Sequence, residues 1–216
     1  MEQATVPTLI AVGVALIAWY LVGNELMRRR ARRLAVWCKR AADLIGSKQS
    51  IKWFTMHSFR LDVENPASPF RGASFTGLTE SWDVPLIWLW NRIHWRRDMV
   101  LVQLTLEAQP MWGLELFRPR SVLAGDAGHA ARDEGWDQAP LAGFRVAPAE
   151  GPGGELAQQL LERLDSQRQH LIRLSVRRKD AQLSLALNVP SVETLAPEEL
   201  FQLLRGLAAD LSLQRA

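Results

Sequence analysis

A single cysteine, Cys38, stands in the 216 residues, so neither an intrachain disulfide nor a thiolate cluster can form, and no oxidising compartment is implied. Signature motifs of common catalytic folds are missing too. There is no G-x-x-x-x-G-K-[ST] or G-x-G-x-x-G loop to cradle phosphates, no G-x-S-x-G elbow and no H-E-x-x-H. The four histidines (His57, His94, His129 and His170) are scattered without a short metal-ligand spacing, and each reads as a surface or locally satisfied residue. The acidic stretch holding Asp126, His129, Asp133, Glu134 and Asp137 lacks the spaced oxygen ligands and the turn glycine of a calcium loop, so it reads as a solvated loop. No catalytic residue, metal site or cofactor is assigned. A non-enzymatic role follows as the expectation.

Excess charge is also missing from most of the chain. Nineteen Lys and Arg face 20 Asp and Glu after Asp43, while Arg28, Arg29, Arg30, Arg32, Arg33, Lys39 and Arg40 crowd one short segment. A nucleic-acid binder carries its basic surface on the folded domain, because counterion release from phosphates supplies much of the affinity. Here the domain is close to neutral, and nucleic acid is not an expected partner.

What is present begins with an apolar run. Val6 to Val22 contains no charge, and at about 1.5 Å per helical residue it extends roughly 26 Å, just enough to cross a hydrocarbon core. Val6, Leu9, Ile10, Val14, Leu16, Ile17 and Leu21 supply the apolar surface, with Trp19 and Tyr20 placed for the headgroup level. A cleaved signal peptide is disfavoured. Met1 to Ala4 has an acid and no basic side chain, and no small-x-small cleavage site follows the run. All seven clustered cations flank its C-terminal end, which predicts an outside N-terminus and a cytoplasmic domain in a single-pass cell-membrane protein.

Leu26 to Ile45 continues as a helix, since Leu34, Trp37, Cys38, Ala41, Leu44 and Ile45 recur at three- and four-residue steps. Two readings of its cations stand side by side. The helix lies on anionic lipid through Arg28, Arg29, Arg30, Arg32, Arg33, Lys39 and Arg40, or it is a stop-transfer flank whose apolar stripe packs on the domain. The organisation predicted is an anchor over 1–27, a basic juxtamembrane helix over 28–46 and an α+β domain over 47–216.

Within that domain, alternation predicts strands at 57–64, 70–80 (bending at Gly72 or Gly77), 99–107 and 143–147. Trp112, Leu114 and Leu116 alternate just after the turn at Gln109 and Pro110, so this run is expected to form an antiparallel hairpin with 99–107. Ser121 to Asp137 shows weak helical character at best. Leu156, Leu160, Leu161 and Leu164 mark a helix after the loop 148–154. A hairpin over 172–189 turns at 178–181, and a final helix starts at Pro197, with Glu198 and Glu199 favoured at its N-terminus. Strands followed by helices without strict alternation predict an antiparallel sheet with helices packed on it.

Four of the nine tryptophans (Trp82, Trp88, Trp90 and Trp95) fall within fourteen residues, beside Arg96 and Arg97. Together these six residues form a membrane-contacting or partner-docking element, or the indoles supply the domain core with the arginines outside. A third use would line a pocket for a lipid or other apolar ligand.

The order of elements also carries a resemblance. Arg71, Gly72 and Gly77 precede two apolar strands; Gly125-Asp126, Trp136-Asp137 and Phe144-x-Val146 follow, then a leucine-rich helix, a hairpin and a terminal helix. This pattern over about residues 70–212 resembles a loose family of bacterial membrane-anchored domains of unknown function. The resemblance implies a bacterial source and an α+β fold and carries over no catalytic residue. The expected function is a membrane-tethered interaction module, touching lipid and a membrane-protein partner; the alternative is an apolar-ligand-binding domain.

Overall fold

The computed structural model describes residues 5–93, 98–164, 168–189 and 196–213. It opens with one unbroken helix, α1 (Thr5–Asp43), and continues β1 (Lys48–Thr55), β2 (Ser58–Glu64), β3 (Phe70–Leu78), α2 (Pro85–Ile93) and β4 (Met99–Leu106). Then come β5 (Leu114–Phe117), α3 (Ala124–Asp133), β6 (Ala139–Leu141), β7 (Phe144–Ala147), α4 (Pro152–Leu164), β8 (Leu171–Arg177), β9 (Gln182–Asn188) and α5 (Pro197–Leu213). The fold is α+β, as the strand and helix patterns predict.

Among the described residues, nine strands form one sheet in the order β1-β2-β3-β4-β9-β8-β5-β7-β6, every neighbour antiparallel. This corrects the expected hairpin between β4 and β5. β4 instead pairs with β3 and β9, and β5 with β8 and β7. The late hairpin β8–β9 inserts between them, where its two apolar faces (Leu174 and Val176; Leu183, Leu185 and Leu187) meet Leu114, Leu116, Val100, Val102 and Leu104 in register. A turn signal alone selects the nearest partner in sequence; the larger apolar area of the central hairpin selects the partner in space.

One face of this sheet carries the core. Side chains at alternate positions (Phe59, Leu61 and Val63; Phe75; Val100, Val102 and Leu104) point to a layer made by α1, α4 and α5, and all lie in one contiguous cluster. α1 contributes Leu34, Trp37, Cys38, Ala41 and Ile45, and α5 contributes Leu200, Leu204, Leu207 and Leu211. On the other face α3 covers β5, seating Ala127 and Ala131. The stretch around α3, read from the sequence as weakly helical at best, is thus a three-turn helix. Its low intrinsic propensity is overridden by the fit of two alanines on the sheet. Gly135, at φ +71°, ends it: the N–H groups of Gly135 and Trp136 return to the carbonyls of Arg132 and Ala131.

Two strands add to the predicted set. β6 pairs with β7 across a two-residue turn, Ala142-Gly143, both at positive φ. β1 is an edge strand whose side chains are exposed on both faces except Gln49, so it buries too little to show in the hydropathy pattern.

Candidate functional site

α1 is the one helix among the described residues long and apolar enough to cross a membrane, and its first half is almost wholly exposed. Val6, Leu9, Ile10, Val14, Leu16, Ile17, Tyr20 and Leu21 touch little of the domain. Burial begins at Gly23 and Met27 and then follows the stripe Ala31, Leu34, Ala35, Cys38, Ala41, Ala42 and Ile45. The segments expected as anchor and juxtamembrane helix are therefore one helix, whose second half packs on β2, β3 and α5 as a core element.

The clustered cations radiate from that helix in different directions. Arg28 reaches Met56 in the β1–β2 turn, with its Nη2 4.0 Å from the sulfur. Arg29 pairs with Glu25 one turn back at 2.7 Å. Arg30 stacks over the Trp82 ring at 4.6 Å and lies 3.9 Å from an Asp98 carboxylate oxygen. Arg32 and Lys39 flank an apolar groove of about 450 Å³ against Ile51 and Trp53 of β1. Arg33 and Arg40 are exposed. Arg40 sits twelve residues beyond Arg28, roughly 18 Å along the axis and so more than two Debye lengths away at physiological salt.

The tryptophan-rich stretch is divided between two environments. Trp82 and Trp88 turn inward against α1. Trp19 donates its indole N–H to the Trp82 carbonyl at 3.0 Å, and its ring meets Trp88 edge-on at 5.6 Å; Trp82 and Trp88 are also 5.6 Å apart. Gly23 permits this approach, because a Cβ there would lie 2.3 Å from the Trp82 carbonyl oxygen. The Trp82 N–H points at the Met27 sulfur at 3.1 Å, and its indole N–H donates to the buried Glu80 carboxylate. α2 begins with Pro85, where a missing N–H costs nothing. Its residues Leu86, Ile87, Leu89, Trp90 and Ile93 are exposed, Leu86 to 77% and Trp90 to 59%. The core reading thus holds in full for none of the three described indoles, Trp82, Trp88 and Trp90. Trp95, Arg96 and Arg97, and also His94, lie outside the described residues.

Two further sites stand apart from the tryptophan-rich stretch. On the face under α3, the Glu115 carboxylate is buried, accepts two hydrogen bonds from the Arg173 guanidinium (2.8 and 2.9 Å) and one from the Ser175 hydroxyl. A polar cleft of about 700 Å³ opens beside it, walled by Asp126, His129, Asp133 and Glu134 of the acidic stretch and by Arg177, Arg178 and Lys179. Among the described residues no group of three or more His, Cys, Asp or Glu is placed to hold a metal ion. His129 is held by Arg132, and His170 is buried against Gln169.

Between α4 and α5, an apolar cleft of about 410 Å³ is lined by Leu156, Leu160, Leu164, Leu171, Leu187 and Leu203. Its walls are leucine-rich; the described indoles Trp82, Trp88 and Trp90 stand elsewhere. The signal for it was the leucine periodicity of both helices, which core packing explains equally well.

At the opposite margin, the β1–β2 hairpin presents Ile51, Trp53, Phe54 and Met56 to the outside. The Phe59 ring sits beside Trp53 at 5.2 Å and lies over Gly77 across the β2–β3 pair. Arg118 holds the start of β8, donating to the Leu171 and Arg168 carbonyls and covering the Phe144 ring. Burial, with the nearby Arg168 charge, lowers its pKa. Comparison with protein-family models and with curated proteins finds no match.

Proposed function

We propose that this chain is a non-enzymatic, single-pass interaction module, held by α1 at the cytoplasmic face of a bacterial membrane with its N-terminus outside, and that its domain docks a membrane-protein partner. One observation carries the reading. α1 passes without a break from an exposed apolar segment of membrane-spanning length into the domain core, so the domain has no linker and stands at a fixed distance from the bilayer. Large apolar side chains of β1 and α2 gather at the end of the domain where the apolar segment leaves it. Clustered cations beyond the span support the orientation, and Arg28 and Arg29 are the nearest of them to anionic headgroups.

The test is photocrosslinking in native membranes with a benzophenone side chain at Phe54 or Trp90, alongside a Trp88→Ala/Trp90→Ala variant, followed by mass spectrometry. Discrete protein adducts from Phe54 in a folded variant support the module. Only lipid adducts from every position, or copurification of a substrate that the protein turns over, overturn it.

The α4–α5 cleft favours a second reading, an apolar small ligand held by leucines, since its volume lies within the range of ligand sites. Native mass spectrometry of the purified full chain should then show a retained lipid that Leu160→Trp displaces. An empty wild-type chain rejects this reading.

A further inference from the structure

α2 is an amphipathic helix turned inside out. Leu86, Leu89, Trp90 and Ile93 recur at three- and four-residue steps, the spacing of a buried stripe, yet all four are exposed. The inward side instead holds the half-buried Trp88 and the buried polar Asn91. An apolar stripe aimed away from the protein needs another apolar phase.

The position of α2 says which phase. Trp88 of α2 meets the Trp19 ring edge-on, and Trp82, just ahead of α2, accepts the Trp19 indole hydrogen bond and packs against Gly23, so α2 starts from α1 at the level of Trp19 and Gly23. Trp19 lies three residues inside the end of the uncharged run Val6 to Val22, and Arg28 comes nine residues later, roughly 14 Å along the axis. α2 therefore sits on the span side of the arginines. Arg30 caps the same aromatic group from the other side, over Trp82, so indoles face the span and a guanidinium faces the domain. This is the order of groups at a membrane interface.

We infer that α2 lies in the acyl–headgroup boundary of the same bilayer, its Leu86-Leu89-Trp90-Ile93 stripe in contact with lipid, as a second membrane contact that fixes which face the rigid α1–domain unit turns to the bilayer. The inference rests on the reading of α1 as a membrane span, and its occupant is lipid because α2 continues the apolar surface of the span itself. A single span leaves the rigid unit free to lean in any direction. A second, off-axis contact selects one.

The experiment uses the full chain in lipid nanodiscs, with single nitroxide labels at Leu86→Cys and Leu89→Cys, at Leu16→Cys in the span, and at Lys179→Cys in the β8–β9 turn at the far end of the sheet. Cys38 is fully buried and stays unlabelled. Leu86 and Leu89 point outward, so their replacement leaves the core intact, and circular dichroism checks each variant. Collisions with oxygen and with a water-soluble nickel chelate report depth. The expected result is a lipid-like excess of oxygen over nickel at Leu86 and Leu89, shifted toward the Leu16 value and opposite in sense to Lys179. Water-like values at Leu86 and Leu89 with a lipid-like Leu16 overturn the inference and leave the span standing. Shielding from both reagents means a protein cover and also overturns it. A water-like Leu16 removes the span itself.

Discussion

Breaking the Glu115–Arg173 pair should unfold this domain well before any surface substitution does. Glu115 is only 2% exposed at its side chain and Arg173 14%, and the carboxylate also holds Ser175. Removing one member of a buried ion pair leaves the other charge uncompensated, at a cost of about 3–5 kcal/mol. The polar cleft that reaches Glu115 admits water to the abandoned guanidinium, which places Glu115→Ala near the lower end, about 3 kcal/mol. For a chain of this size 1 kcal/mol moves Tm by roughly 2–4 °C, so the expected drop is about 6–12 °C. Tryptophan fluorescence during heating of the detergent-solubilised full chain measures it. Arg173→Ala should cost a similar amount, and the double variant far less than the two added together. Replacing both partners with apolar groups, Glu115→Leu/Arg173→Met, should return Tm to within a few degrees of the native chain. A Glu115→Ala shift under about 2 °C, or strictly additive single effects, would refute the assignment of this pair as a buried, mutually dependent unit.

Gly77→Val should destabilise by about 1–3 kcal/mol, because its Cβ would stand 2.3 Å from the buried Phe59 ring; thermal unfolding checks this, and adding Phe59→Leu should recover part of the loss. Cys38 should resist maleimide at least about a thousandfold more strongly in the native chain than in the denatured one, since labelling must wait for opening that costs about 5 kcal/mol or more. Burial also holds its thiol well above the usual value, so above about pH 8.5 the unfolded chain releases this proton while the folded chain keeps it. Unfolding titrations should therefore show stability falling as pH rises through that region, an effect that Cys38→Ala removes.

How far the sequence reaches depends on whether an element pays its way locally. α4, α5, β2, β4, β8 and β9 each bury one regular face, and periodicity locates them. β1 does not appear because Ile51, Trp53 and Phe54 bury no face, and α3 because only Ala127 and Ala131 secure it. The β4–β5 pairing fails for a different reason: β8 and β9 arrive more than fifty residues later and separate strands that a short turn joins in sequence. The candidate site was half legible. Composition marks the tryptophans as unusual, but Leu86, Leu89, Trp90 and Ile93 have the spacing of a core stripe, and only Trp19, Gly23 and Trp82 together turn that stripe outward. Glu115 and Arg173 lie 58 residues apart, and nothing in either neighbourhood foretells their meeting.

The unbroken α1 has a mechanical consequence. A domain on a flexible tether is indifferent to how its anchor leans, whereas this one is bolted to a strut. The stretch from Asn24 to Asp43 is about 29 Å long at 1.5 Å per residue. On the proposed reading of α1 as a membrane span, a lean of about 20° carries its far end sideways by roughly 10 Å. Whatever tilts the helix is thus delivered to the domain as displacement.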